Sequence, residues 1–182
     1  EALEFGWEDE KAKPETTYEL ANSVMTEQMP LGCDLSIGDA RVIESAIARE
    51  RFQLTPDEVD RFRRLGQDAG RTIGELAHSL TPGLTEREVA RRTRDALAAI
   101  GADAVVTLVA ADDRLQRFRH PLPKDVQWKR VLMIVVCARR DGLIASLTRI
   151  LCAGAVTDDL RIRTQAAAQV NEALFAATRP GV

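Results

Sequence analysis

Aromatic residues are scarce in this chain, 4% of 182 residues, and they do not interleave with its arginines. Nucleic-acid readers need basic patches and stacking platforms together, so no nucleic-acid partner is expected. Long hydrophobic runs are missing too. The longest uncharged apolar stretch, residues 131–138, falls far short of the roughly 20 residues that cross a bilayer, and no basic start leads into an apolar signal segment. No membrane association is expected, and the cytoplasm is the expected location. Only three cysteines are present, Cys33, Cys137 and Cys152, none in CxxC spacing and one necessarily unpaired. That pattern excludes a disulfide framework, disfavours structural zinc and points to reduced thiols. Charge of one sign does not dominate either: the net charge is −3. The balance hides an asymmetry, because residues 1–53 sum to −7 and residues 54–182 to +4.

What is present is ordinary soluble composition, 45% hydrophobic and 29% charged, enough to build a sizeable core. Residues 1–7 read as the tail of a strand, and 11–15 as a charged turn around Pro14. A helix is expected over 16–28 from Tyr18, Leu20, Ala21 and Val24, then a strand and turn over 30–39 and a short helix over 40–49. Residues 1–53 therefore look like part of an α/β unit.

The signals sharpen at Leu54. Thr55, Pro56 and Glu58 supply a capping hydroxyl, a proline at the first helical position and a glutamate three past the cap. Val59, Phe62, Leu65, Ala69, Ile73, Leu76 and Leu80 then recur at helical spacing as far as Pro82-Gly83. A second helix opens at once, with Thr85 and Glu88 as a capping box and Leu84 and Val89 as a hydrophobic staple, and closes at Gly101. Residues 104–110 read as a strand. Pro121 and Pro123 make 114–129 a surface loop carrying His120. The β-branched run 131–137, the turn at Asp141-Gly142 and the return over 143–151 specify a hairpin. A last helix starts at Asp158 and Asp159 and runs through Leu160, Ala167, Val170 and Leu174. Its ending, Arg179-Pro180-Gly181-Val182, repeats Thr81-Pro82-Gly83-Leu84, which suggests a two-fold α/β repeat whose second half lies past Val182.

The collinear series of helix, Pro82-Gly83-Leu84-Thr85-Glu86-Arg87-Glu88-Val89, helix, Gly101-Ala102-Asp103, strand, His120-Pro121 loop and Asp141-Gly142 hairpin resembles the pita-bread hydrolases. That superfamily includes aminopeptidase P, prolidase, methionine aminopeptidase and creatinase. The stretch Asp141 to Arg149 is similar to the family's hairpin, Asp-Gly-Tyr-x-x-Asp-x-Thr-Arg. The resemblance implies an α+β fold, with 54–182 as the first half of a pita-bread domain and 1–53 as the C-terminal part of the small α/β domain and linker before it. It also implies a hydrolase of the Xaa-Pro peptidase and creatinase type, acting on a peptide or amidine C–N bond, and a homodimer.

The departures matter as much. In the family's metallopeptidases the hairpin supplies two metal-binding aspartates of a dinuclear divalent site, and here those positions hold Val135 and Ser146; the glycine usual on the first strand is Cys137. Valine has no donor atom and serine is a poor substitute for a carboxylate, so no metal ligand and no cofactor are expected from these residues. The family's further histidine and two glutamates would fall past Val182. His120 matches a histidine that contacts substrate in the peptidases and moves protons in creatinase, which works without metal; the plain alternative is a surface histidine beside proline. An imidazole suits either kind of proton transfer near neutral pH. Arg117 and Arg119 flank it and would bind a substrate carboxylate, or else are solvated loop arginines. Asp141 is explained by its turn, His78 by its place late in a helix, and Thr148 and Arg149 as support for the site. Ser146 lacks the nearby histidine and elbow of a nucleophile. The non-enzymatic alternative is a pita-bread domain that binds a peptide or protein partner, as in histone chaperones resembling this family.

Overall fold

The computed structural model describes residues 4–25 and 29–179, and its chain divides into two compact units, Glu1–Asp57 and Glu58–Val182. The expected strand tail over 1–7 is not there among the described residues. Trp7 instead begins a helix, α1 (Trp7–Ala12), whose first turn carries Glu8, Asp9 and Glu10 where the helix dipole favours acids, while Lys11 stacks 5.7 Å from the Trp7 ring centroid. Helix α2 (Thr16–Val24) follows as expected, although the last expected turn, residues 26–28, lies outside the described residues. The helix expected over 40–49 starts later. Arg41 and Val42 form β2 (Arg41–Val42), paired in parallel with β1 (Gly32–Cys33), and this pairing holds the chain extended until α3 (Glu44–Phe52).

The second unit is a three-stranded antiparallel sheet backed on one face by two helices. Helix α4 (Pro56–Ser79) buries Leu65, Ala69 and Ile73; Val59 and Phe62, expected on the same stripe, are exposed. Helix α5 (Glu86–Ala99) begins with the capping box read from sequence: Glu88 N donates to Thr85 Oγ1 at 3.2 Å, and Thr85 N donates to Glu88 Oε2 at 2.7 Å. The Thr85 backbone N–H, and then its hydroxyl, hold the Glu88 carboxyl below its usual range. At the other end Gly101 takes φ +70°, and the N–H groups of Gly101 and Ala102 return to the carbonyls of Ala98 and Leu97.

Strand β3 (Asp103–Ala111) leads through a single-turn helix, α6 (Arg114–Arg117), into the loop, so the loop reading for 114–129 gains one helical turn. The hairpin pairs β4 (Val131–Arg140) with β5 (Leu143–Cys152) around Asp141 and Gly142, both at positive φ (52° and 79°), as a two-residue turn of this handedness requires. The strand order is β3-β4-β5. Along β4, Leu132, Ile134, Val136 and Ala138 are fully buried and join the helices in the core with Val89, Leu97 and Val109. Arg140 ties the far end of the hairpin to the helices, donating to Asp68 Oδ2 at 2.9 Å and to the Ile100 carbonyl at 3.2 Å. That first bond is the main reason the Asp68 carboxyl sits below its usual range.

The other face of the sheet is open. It carries Val106 and Leu108 of β3, Met133, Val135 and Cys137 of β4, and Ser146, Thr148 and Ile150 of β5, as the register dictates. Helix α7 (Asp158–Ala177) starts at Thr157, whose hydroxyl accepts from Leu160 N at 3.3 Å, and leaves Ile162, Val170, Leu174 and Phe175 exposed. The repeat ending at Pro180 and Gly181 lies outside the described residues. An α+β architecture of this kind agrees with the expected partial pita-bread domain.

Candidate functional site

The loop from Asp112 to Arg130 is closed at its base by one carboxylate. Asp112 sits at φ +48°, and its oxygens accept from Lys129 N at 2.9 Å, Arg130 N at 2.9 Å and Val131 N at 3.0 Å; its own N–H donates to the Val131 carbonyl at 2.8 Å. Partial burial pushes the Asp112 carboxyl up, but the backbone donors of Val131, Arg130 and Lys129 outweigh it and hold the group below its usual range. The returning limb zips onto the start of α5. Trp128 N donates to the Leu84 carbonyl at 3.1 Å, Gly83 N to the Trp128 carbonyl at 3.0 Å, and Glu86 N to the Val126 carbonyl at 3.0 Å.

Higher on the loop, Pro121 is fully buried and its carbonyl accepts from Val109 N of β3 at 3.3 Å. His120, immediately before it, is exposed, as are Arg117 and Arg119. The three candidates thus share one exposed turn beside the β3 edge. Arg117 reaches Asp113 at 3.9 Å, an exposed pair of little energetic weight. Two residues that sequence reasoning missed do more to shape this turn: Asp112 and the fully buried Glu86, whose carboxylate accepts from Ala111 N at 2.8 Å and Lys124 N at 2.9 Å. Glu86 was visible only as a letter inside the capping motif.

On the open sheet face, Val135 stands opposite Thr148 and Ser146 opposite Cys137, with Ser146 Oγ 3.2 Å from Cys137 Sγ. Val135 and Ser146 are therefore diagonal neighbours on one face, which is the placement the resemblance implies for paired ligands. A groove of about 1540 Å³ opens at one end of this face, lined by Gln116, Met133, Thr148, Ile150 and residues of α7 such as Leu160 and Thr164. Arg117, Arg119 and His120 do not line it, nor do Val135 and Ser146.

No curated protein sequence matches this chain. Among solved structures it is similar to an X-Pro aminopeptidase from Thermotoga maritima MSB8 (22% identity, TM-score 0.62, 69% of this chain and 37% of that one). It is also similar to prolidase from Pyrococcus furiosus (19%, 0.67, 81% and 48%) and a dipeptidase from Pyrococcus horikoshii OT3 (20%, 0.70, 79% and 41%). The chain spans less than half the length of each, and at these identities the likeness is one of fold.

A family model matches as well, that of metallopeptidase family M24, over residues 60–182. This match corrects the expectation of no cofactor, because membership in a metallopeptidase family implies divalent metal ions. The hairpin residues do not fit such an ion: Val135 offers no donor, the Ser146 hydroxyl is engaged with Cys137, and no group of three or more His, Cys, Asp or Glu among the described residues could hold one. Family match, strand order and helix-backed sheet agree, and the chain belongs to metallopeptidase family M24.

Proposed function

We propose that residues 54–182 form the first half of the catalytic-type domain of a peptidase-type hydrolase, similar to the Xaa-Pro peptidases, that cleaves a peptide C–N bond. The observation that carries this reading is the turn holding Arg117, Arg119 and His120, which is exposed to an incoming substrate yet anchored on both sides by buried groups. In this reading His120 donates or accepts a hydrogen bond at the scissile amide and moves a proton there, and Arg117 and Arg119 draw in the substrate carboxylate. Preceding Pro121 restricts the backbone of His120 to extended conformations, which limits how far its imidazole can wander. A homodimer and a cytoplasmic site of action go with this reading, the first supported by the apolar residues left on the open sheet face.

The test is hydrolysis of an Xaa-Pro dipeptide, in the presence of Mn²⁺, by the longest natural chain that carries this sequence. His120→Ala is expected to lower kcat roughly 100-fold or more, the size of effect that a general acid or base supplies, with the circular dichroism unchanged. Unchanged turnover removes His120 from the mechanism. A second reading is favoured by one observation, the lack of any carboxylate at Val135 and Ser146: a domain that binds peptides without cleaving them. Calorimetric binding of the dipeptide with no turnover would select it.

A further inference from the structure

Glu86 is fully buried, and the helix cap does not need it, since Thr85 and Glu88 complete that motif between themselves. Its carboxylate bridges the two limbs of the loop instead. Oε1 accepts from Ala111 N and from Arg114 Nε, both at 2.8 Å on the outgoing limb, and Oε2 accepts from Lys124 N at 2.9 Å on the returning limb. Arg114 extends the bridge. Its Nη2 donates to the Leu122 carbonyl at 3.0 Å, and its guanidinium lies 4.9 Å from the Phe118 ring centroid. The turn carrying Arg117, Arg119 and His120 lies between these anchors, within residues 115–121.

An ion pair with one partner fully buried and the other mostly so is a poor device for stability alone, because the cost of taking the charge out of water offsets much of the attraction. What it supplies well is a fixed geometry, since four donated bonds at defined directions leave one arrangement of the two limbs. We infer that Glu86, acting through Arg114, is the positioning residue of the site: it fixes where the turn presents His120. The inference rests on the reading of His120 as a reacting group.

The experiment uses the longest natural chain that carries this sequence, with Glu86→Gln and Arg114→Lys. Glutamine keeps the shape but turns one acceptor into a donor, which then faces an N–H of the loop. In both variants the ring signals of His120 in ¹H–¹³C spectra should shift and broaden while those of His78 stay in place. The amides of Val109 and Lys124 should exchange roughly tenfold faster or more, while those of Ile134 and Val136 keep their protection. Where turnover is measurable, kcat should fall by a similar factor with KM little changed. Unmoved His120 signals, or protection lost equally in loop and core, would overturn the inference. If Glu86→Gln does not fold, Arg114→Lys decides by the same signals, since lysine keeps the charge and loses the fork. The failure of the functional reading looks different: His120→Ala leaves turnover unchanged, the role of Glu86 in the reaction falls with it, and the ring signals still report whether Glu86 positions the turn.

Discussion

Ser146 lies directly across the hairpin from Cys137, hydroxyl and thiol 3.2 Å apart, one step along the open face from Val135. A family that carries carboxylates at the positions of Val135 and Ser146 would therefore present both toward the same space. Replacing the pair, Val135→Asp with Ser146→Asp, should raise the affinity for Mn²⁺ roughly tenfold or more over the unaltered chain, by analogy with the loss on removing conserved metal partners. Isothermal calorimetry checks it. Equal affinity in both chains would show that this face is not where a divalent ion sits.

Asp112 should give stability an acid limb. Its carboxyl titrates lower in the folded chain than its ordinary value of 3.8, so the stability it contributes is complete above that value and drains away as pH falls through the folded one. Asparagine tolerates the same positive φ, so Asp112→Asn removes the charge without backbone strain, at the cost of one acceptor that becomes a donor facing a backbone N–H of residues 129–131. The variant should lose about 1–3 kcal/mol at neutral pH in urea melts and show a shallower fall below pH 4. A fall as steep as the parent's would assign the acid limb to other carboxyls.

Helix α4 carries Gly66, Gly70 and Gly74, and a Cβ added at any of them meets nothing within 4 Å. Glycine costs a helix interior about 0.5–1 kcal/mol relative to alanine, so each Gly→Ala change should stabilise the chain by that amount. Thermal melts read it directly. A lowered melting temperature would mean that a neighbour covers this stripe in solution.

The open sheet face should make the chain self-associate. Val106, Ile144 and Ile150 are 38%, 47% and 44% exposed there, beside Leu108, Met133 and Val135. Light scattering is expected to show mass rising with concentration, and Ile150→Lys to shift the balance toward monomer. A parent chain that stays monomeric at every concentration would remove this face as an interface.

Much of the second unit was legible because its signals are local. The capping box needs only Thr85 and Glu88, the hairpin only Asp141-Gly142 between apolar runs, and the helix stop only Gly101 at positive φ. Where partners are distant in sequence, legibility failed. The burial of Glu86 depends on Ala111, Arg114 and Lys124, which lie 25, 28 and 38 positions away. Asp112 reads as one acid among many until its three backbone donors are in place 17 to 19 residues later. Arg41 and Val42 likewise look ready for a helix until Gly32 and Cys33 lie alongside. The candidate turn was read from the resemblance and from its prolines, but what braces it was not.

Strand β4 is apolar on both sides: Leu132, Ile134, Val136 and Ala138 face the helices, and Val131, Met133, Val135 and Cys137 face away. A slip by one residue would exchange one greasy row for another, so hydrophobicity hardly tells the strand which way up to lie. Its orientation is decided at its two ends, by the tight Asp141-Gly142 turn and by the clasp of Asp112 on residues 129–131. Changes that loosen either end would then populate an inverted hairpin, with Val135 and Ser146 turned into the core and the open face rebuilt from residues meant for the interior.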